Sequence, residues 1–313
     1  NVLLASATSF LEESPTYHIP AGPDLVLRRT TTDDGWRDSE YRFAPIVDRD
    51  NPSFYLRYSG APLAKRERIL RRMIDHYFRG AAPLAVAMTQ DFDPGRKVAF
   101  VVNSYDQVRI FKDQVRRLSM GLSQRLIGVT DHPPAGNQGD WITAAQVERL
   151  GARPNDWDFL VFPMKALSRG VNIVFESGDR RRDALLGTVI FLTRPHPAIE
   201  SLDLVAGLAG SQSLRFDQRA LPDDMSISRI SDEWRAARRE LLATTRRLLR
   251  YPLQASRLGD LAEPFTGDIM VDVLQTAAPC VTAARPGSSL PMPPGRPTLS
   301  ILNPGSASPV RPA

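Results

Sequence analysis

The stretch that decides the fold is Asp158–Val174, D-F-L-V-F-P-M-K-A-L-S-R-G-V-N-I-V. Phe159 to Phe162 is a short unbroken apolar run, the pattern of a strand covered on both faces of a parallel sheet. Pro163 breaks the run, and Ser168-Arg169-Gly170 turns the chain before a second apolar piece. Open α/β sheets bind ligands in the crevice outside the carboxyl ends of their strands, so a polar turn in that place is a candidate site. Taken alone, the same residues also describe a buried strand followed by an ordinary loop, and the flanking sequence has to choose.

Working outward, a strand-then-helix alternation surrounds this stretch. Val98-Ala99-Phe100-Val101-Val102 is a continuous apolar strand, and Asn103-Ser104 can cap the helix after it. That helix carries Val108, Phe111, Val115 and Leu118 at 3-4-3 spacing, an inward stripe. Arg125 to Val129 reads as a strand, Thr143 to Leu150 as a helix, and Thr188 to Leu192 as a further strand. Four β units joined through helices predict an α/β fold with a mainly parallel, doubly wound sheet, right-handed crossovers and added helices.

Upstream, Val2 to Phe10 reads as a strand running into Ser6-Ala7-Thr8, and Leu25–Arg29 and Tyr41–Val47 read as short strands. Pro62 to Phe78 is an amphipathic helix with Leu63, Leu70, Ile74 and Phe78 on one face. Its arginines read as a solvated surface. Downstream lie a small helix at Ala198–Leu208, a long arginine-rich helix at Asp232–Arg250, and a buried helix at Asp268–Thr276.

Beyond residue 276 the composition changes abruptly. Residues 277–313 hold nine prolines and no Lys, Asp, Glu or aromatic residue. Such text cannot bury enough apolar surface to offset chain entropy, which predicts a disordered tail. A natural Pro-rich tail and a frameshift in GC-rich coding sequence both account for it. Because the chain enters a core-like strand at Asn1, a missing N-terminal part is expected as well.

Composition narrows the rest. The 313 residues carry a formal charge of +5, but three of the arginines lie in the acid-free tail and leave about +2 for the body. That permits a local basic groove without demanding nucleic acid. The single Cys280 excludes a disulfide framework and makes a reducing cytoplasm the default. The histidines His18, His76, His132 and His196 lack ligand spacing and read as loop or surface residues, so no metal site is expected. No apolar run approaches the roughly 18 residues of a membrane helix, so no membrane partner is expected either.

The order of motifs carries a resemblance. Ser6-Ala7-Thr8 after a strand, V-A-F-V-V-N-S-Y at Val98–Tyr105, and the strand and turn ending S-R-G-V-N-I at Ile173 follow one another. That order resembles the third, fourth and fifth motifs of superfamily 2 helicases. Val189–Pro197, V-I-F-L-T-R-P-H-P, is similar to the strand and turn after the fifth motif in XPD/DinG-type members. V-D-V-L-Q-T, ending at Thr276, resembles the approach to their sixth motif, Q-x-x-G-R-x-x-R, and stops before its Gly-Arg.

The resemblance implies a RecA-like C-terminal domain over residues 61–276, preceded in 1–60 by the end of a first RecA-like domain and a linker. It implies an ATP-dependent helicase or translocase acting on DNA or RNA, with ATP and Mg²⁺ held mainly by a missing N-terminal RecA-like domain. Ser6, Ala7, Thr8, Ser168, Arg169, Gly170, Asn172 and Gln275 would then face the nucleotide cleft or couple it to movement. Asn103, Ser104 and Tyr105 would lie near the nucleic-acid backbone. Asn172 stands where many relatives have Asp. None of the four lysines follows a glycine, so the chain has no Gly-Lys phosphate loop. No catalytic residue is therefore assigned, and the fragment alone is expected neither to bind ATP tightly nor to hydrolyse it. A degenerate, non-catalytic helicase-like module for nucleic-acid or protein binding is the alternative. A nucleotide-sugar transferase would share the sheet, but no catalytic constellation for one is found, and fold alone does not choose function.

Overall fold

The computed structural model describes residues 14–17, 40–91, 95–134, 139–167, 171–195, 203–217, 224–250, 259, 262–277 and 298–301. The expected strands at Val2–Phe10 and Leu25–Arg29, and Cys280, lie outside these. The chain divides into two compact units. One comprises residues 29–195 with 273–313, the other residues 1–28 with 196–272.

The first unit is built on a parallel sheet. Its strands are β1 (Glu40–Phe43), β4 (Lys97–Val102), β5 (Leu126–Val129), β6 (Trp141–Ile142), β7 (Phe159–Pro163), β8 (Leu186–Phe191) and β9 (Thr298–Ile301), and a separate antiparallel pair joins β2 (Val47–Asp48) to β3 (Asn51–Tyr55). Five strands in the order β8-β4-β7-β5-β6 form the core of the sheet, and β9 and β1 extend it beyond β8. Every pairing in it is parallel. Helices α1 (Leu63–Phe78), α2 (Leu84–Asp91), α3 (Tyr105–Leu118), α4 (Met120–Gln124) and α5 (Met164–Leu167) accompany it, with a 3-10 helix at Ala144–Ala152.

The deciding stretch behaves as its apolar run requires. All five residues of β7 are buried, as are all of β4, β5 and β8. On one face, Val98, Phe100, Val102, Phe159, Val161, Ile190 and Leu192 meet α1 and α3. From α1 come Leu70, Met73, Ile74, Tyr77 and Phe78, and from α3 Val108, Phe111 and Val115, which have no exposed surface. The Phe78 ring centres this packing, with centroids 5.3, 5.5 and 5.2 Å from Phe100, Phe111 and Phe159. Leu63 is exposed, because it opens α1 ahead of the turns that reach the sheet.

Several elements differ from the sequence reading. The stretch Tyr41–Val47 is two strands interrupted before Val47, and Pro45 at the break supplies no ladder N–H. The apolar piece Val171–Val174 is a loop that touches strand geometry only at an isolated bridge, Val174 with Ala184. Within the tail read as disordered, Thr298–Ile301 forms β9; its alternating Leu299 and Ile301 are a strand signal that the surrounding prolines hide.

At the β5–β6 edge the sheet closes over a lysine. Lys112 of α3 is 7% exposed, and its Nζ donates to the carbonyl oxygens of Leu126 at 2.7 Å and Asp140 at 2.8 Å. The ammonium lies 5.0 Å from the Trp141 ring centroid. A Cβ on Gly128 would come within 2.8 Å of Lys112 Cδ and 2.9 Å of the Trp141 ring, so only glycine leaves room for the stem. Burial pushes the Lys112 pKa down to about 8, against the opposing pull of Asp140. An unfolded lysine titrates near 10.4, so between about pH 8 and 10.4 the unfolded chain binds the extra proton and this contribution makes stability rise with pH, by up to about 3 kcal/mol. Denaturant midpoints across that window are expected to climb more steeply in the wild type than in Lys112→Met.

The second unit contains α6 (Asp203–Asp217), α7 (Ile227–Arg250) and most of α8 (Ala262–Ala277). The small helix expected at Ala198–Leu208 begins at Asp203 and runs to Asp217, and α7 starts before Asp232. Two buried carboxylates one turn apart on α8 hold the segment Ser14–Tyr17. Asp268 accepts from the Ser14 and Thr16 hydroxyls, both at 2.5 Å, and Asp272 accepts from the Tyr17 hydroxyl at 2.8 Å.

Candidate functional site

The connections leaving β4 and β7 diverge. From β4 the chain passes over β7 to reach β5, and from β7 it passes over β4 to reach β8. Adjacent parallel strands whose connections run opposite ways open a crevice at their carboxyl ends, the position where doubly wound sheets bind ligands.

At the carboxyl end of β4 the chain turns through Asn103 and Ser104 into α3. Ser104 is the N-cap: its extended backbone lets Oγ accept from the Gln107 backbone N–H at 3.3 Å. The Gln107 side chain reaches back, its Oε1 accepting from the Asn103 N–H at 2.9 Å while its Nε2 donates to the Tyr58 hydroxyl at 2.8 Å. Burial raises the Tyr58 pKa against the pull of the Arg66 charge and the Gln107 hydrogen bond, which keeps the hydroxyl neutral. With this turn fixed, Asn103 Nδ2 donates to the Arg194 carbonyl at 2.9 Å, joining the ends of β4 and β8.

Arg194 gives this edge its charge. The residue is half-buried, and desolvation lowers its pKa. Among the described residues no carboxylate pairs with its guanidinium. Beside it Thr193 is 2% exposed, and its hydroxyl is buried without a hydrogen-bond partner. At the end of β5 the charges are already paired. Arg109 lies 2.8 Å from Asp106 and 3.9 Å from Asp131, whose carboxylate also accepts from the His132 N–H at 2.9 Å. The edge can thus hold an anionic oxygen beside Arg194. Among the described residues no group of three His, Cys, Asp or Glu side chains is placed to hold a metal ion.

The residues singled out from sequence fall in three places. Asn103, Ser104 and Tyr105 stand together at the β4–α3 turn, with the Ser104 hydroxyl engaged as a cap. Asn172 is exposed in the loop after α5, where its backbone N–H donates to Glu148 at 3.4 Å, and Gln275 is half-buried on α8. Ser6, Ala7, Thr8, Ser168, Arg169 and Gly170 lie outside the described residues. Sequence reasoning missed Gln107, Tyr58 and the role of Arg194. Ser104-x-x-Gln107 is a capping-box spacing and could have flagged the first.

No helix among the described residues is long and apolar enough to cross a membrane. No protein-family model matches the chain, and no curated protein matches it significantly.

Proposed function

We propose that this chain is the C-terminal, RecA-like part of an ATP-dependent superfamily 2 helicase or translocase of the XPD/DinG type. In this reading it grips a nucleic-acid backbone while a second domain holds ATP. The observation that carries the proposal is the β4–α3 turn, where Asn103 is fixed to the backbone carbonyl of Arg194, an arginine half-buried at the carboxyl end of the neighbouring strand β8. Insertion of β7 between β4 and β5, and the motif order along the chain, support the same reading.

The residues present do not fit ATP by themselves. No lysine follows a glycine, and the described residues hold no acidic cluster for Mg²⁺. ATP and Mg²⁺ belong in this reading to the other domain. The chain's own chemistry is electrostatic: Arg194 meets an anionic oxygen, and Asn103 fixes the backbone around it. Contacts of this kind recognise DNA or RNA with little regard to sequence and weaken with salt.

The test is anisotropy of labelled single-stranded oligonucleotides of mixed sequence, with salt titrated, alongside an ATPase assay of the chain alone. Sequence-independent, salt-sensitive binding is expected, weakened about tenfold in Asn103→Ala/Arg194→Ala, with no ATP hydrolysis until a phosphate-loop domain is supplied. Turnover of ATP by the chain alone, or binding indifferent to Asn103 and Arg194, would reject this reading.

A further inference from the structure

The second unit carries a surface built from its own helices α6 and α7. Trp234 of α7 is 45% exposed, and the Phe216 ring of α6 holds it edge-on, with centroids 4.9 Å apart and planes at 62°. Beside it an open groove of about 240 Å³ runs between the two helices, lined by Ala209, Ser213, Trp234, Ala237, Arg238 and Leu241. The small residues leave space next to the indole, and Phe216 fixes the orientation of its ring.

Arginines of α7 crowd one flank of this groove. At 3.6 residues per turn, Arg235, Arg238, Arg239 and Arg246 fall with Asp232 on one flank of the Trp234 face, and Glu233 and Glu240 fall with Arg229 and Arg247 on the other. All four arginines are exposed. Arg235 pairs with Asp232 at 3.2 Å, whereas Arg238, Arg239 and Arg246 have no acidic partner among the described residues. The row from Arg235 to Arg246 is about 16 Å long. A fixed aromatic ring in an apolar groove beside the guanidinium groups of Arg238, Arg239 and Arg246 matches a chain that carries flat rings and phosphates together.

We infer that the α6–α7 hairpin binds single-stranded nucleic acid, with a base stacked on Trp234 in the groove and the backbone phosphates along Arg238, Arg239 and Arg246. The base has to be unpaired, because a ring set between two helices cannot meet one inside a duplex. An acidic peptide would satisfy the arginines but leave the groove without a use.

The inference shares a partner class with the proposed function but stands on other residues, so the two fail separately. Loss of binding in Asn103→Ala/Arg194→Ala concerns the sheet crevice, and the variants below concern the hairpin. The test uses the full chain and a short labelled oligothymidylate. Trp234→Ala is expected to weaken binding about tenfold, and Trp234→Phe, which keeps an aromatic face, to recover most of it. Replacing Arg238, Arg239 and Arg246 together by Glu is expected to make the slope of log affinity against log salt shallower by about 2. Helical circular dichroism should be unchanged in all of them, since the altered side chains are exposed. The inference is overturned if Trp234→Ala binds like the wild type, if Trp234→Phe binds no better than Trp234→Ala, or if the salt slope is unmoved. It is equally overturned if polyglutamate or a blunt duplex competes as well as the single strand.

Discussion

Gly151→Ala is expected to destabilise the first unit by about 3 kcal/mol or more, read as a fall in the urea midpoint. Gly151 is buried in the 3-10 helix, and its carbonyl accepts from the Glu176 N–H at 3.4 Å. A Cβ there would press into the Val174 carbonyl oxygen, with the Val174 carbonyl carbon at 3.1 Å and Glu176 Cγ at 3.2 Å. A flexible side chain could move aside, but the main obstacle is backbone. That backbone is also tied down, because Val174 bridges to Ala184, the Phe175 N–H donates to the Asp183 carbonyl and the Arg182 N–H donates to the Phe175 carbonyl. The gain of about 1 kcal/mol from replacing glycine within a helix does not offset such a clash. Gly210 in α6 is the matched control, since a Cβ there meets nothing within 4 Å. Gly210→Ala should leave stability unchanged or slightly raised.

The second large effect is expected at Asp158, the first residue of the deciding stretch. Its carboxylate is held by Arg125, whose Nη2 donates at 2.8 Å, and lies 3.3 Å from the ammonium of Lys97. Lys97 is 5% exposed, and burial lowers its pKa against the attraction of Asp158. Asp158→Ala leaves that ammonium buried without a counter-charge, which costs about 3 kcal/mol or more. Adding Lys97→Met removes the stranded charge and should recover a large part of the loss, so a double-mutant cycle checks the assignment. Burial pushes the Asp158 carboxyl up, but the Arg125 hydrogen bond and the Lys97 charge outweigh it and hold the pKa below the usual aspartate value. The stabilisation is therefore present above the unfolded aspartate pKa, near 3.9, and is lost as pH falls through the lower folded value. Acid unfolding should begin at higher pH in the wild type than in the double variant once their neutral-pH stabilities are matched.

Much of the sheet was legible because a strand buried on both faces leaves an uninterrupted apolar run. Val98–Val102 and Phe159–Phe162 could hardly have packed otherwise, and the 3-4-3 stripe of α3 with its Ser104 cap followed as directly. Elements whose stability comes from elsewhere were not legible. The two-residue β6 exists because Trp141 and the Asp140 carbonyl meet Lys112 across the sheet edge, a contact with no local pattern. The four residues of β9 are hidden by the prolines around them. The site divided in the same way. Asn103 and Ser104 announced themselves as a strand end and a cap, whereas Arg194 joins them through its backbone carbonyl, an acceptor that every residue possesses.

The strand order also governs when the sheet can assemble. Strand β4 has no partner among the strands before it or immediately after it; Val98 pairs with Phe159 on one side and Thr188 on the other. Until β7 has been synthesised, the apolar run Val98–Val102 has two bare edges and nothing to pair with. Loop closure over such separations slows folding, and an unpaired apolar strand in the interval is a template for association with other chains. The charged girdle of α1 and α3, whose apolar stripes can already meet through Phe78 and Phe111, is the cover available to β4 while it waits.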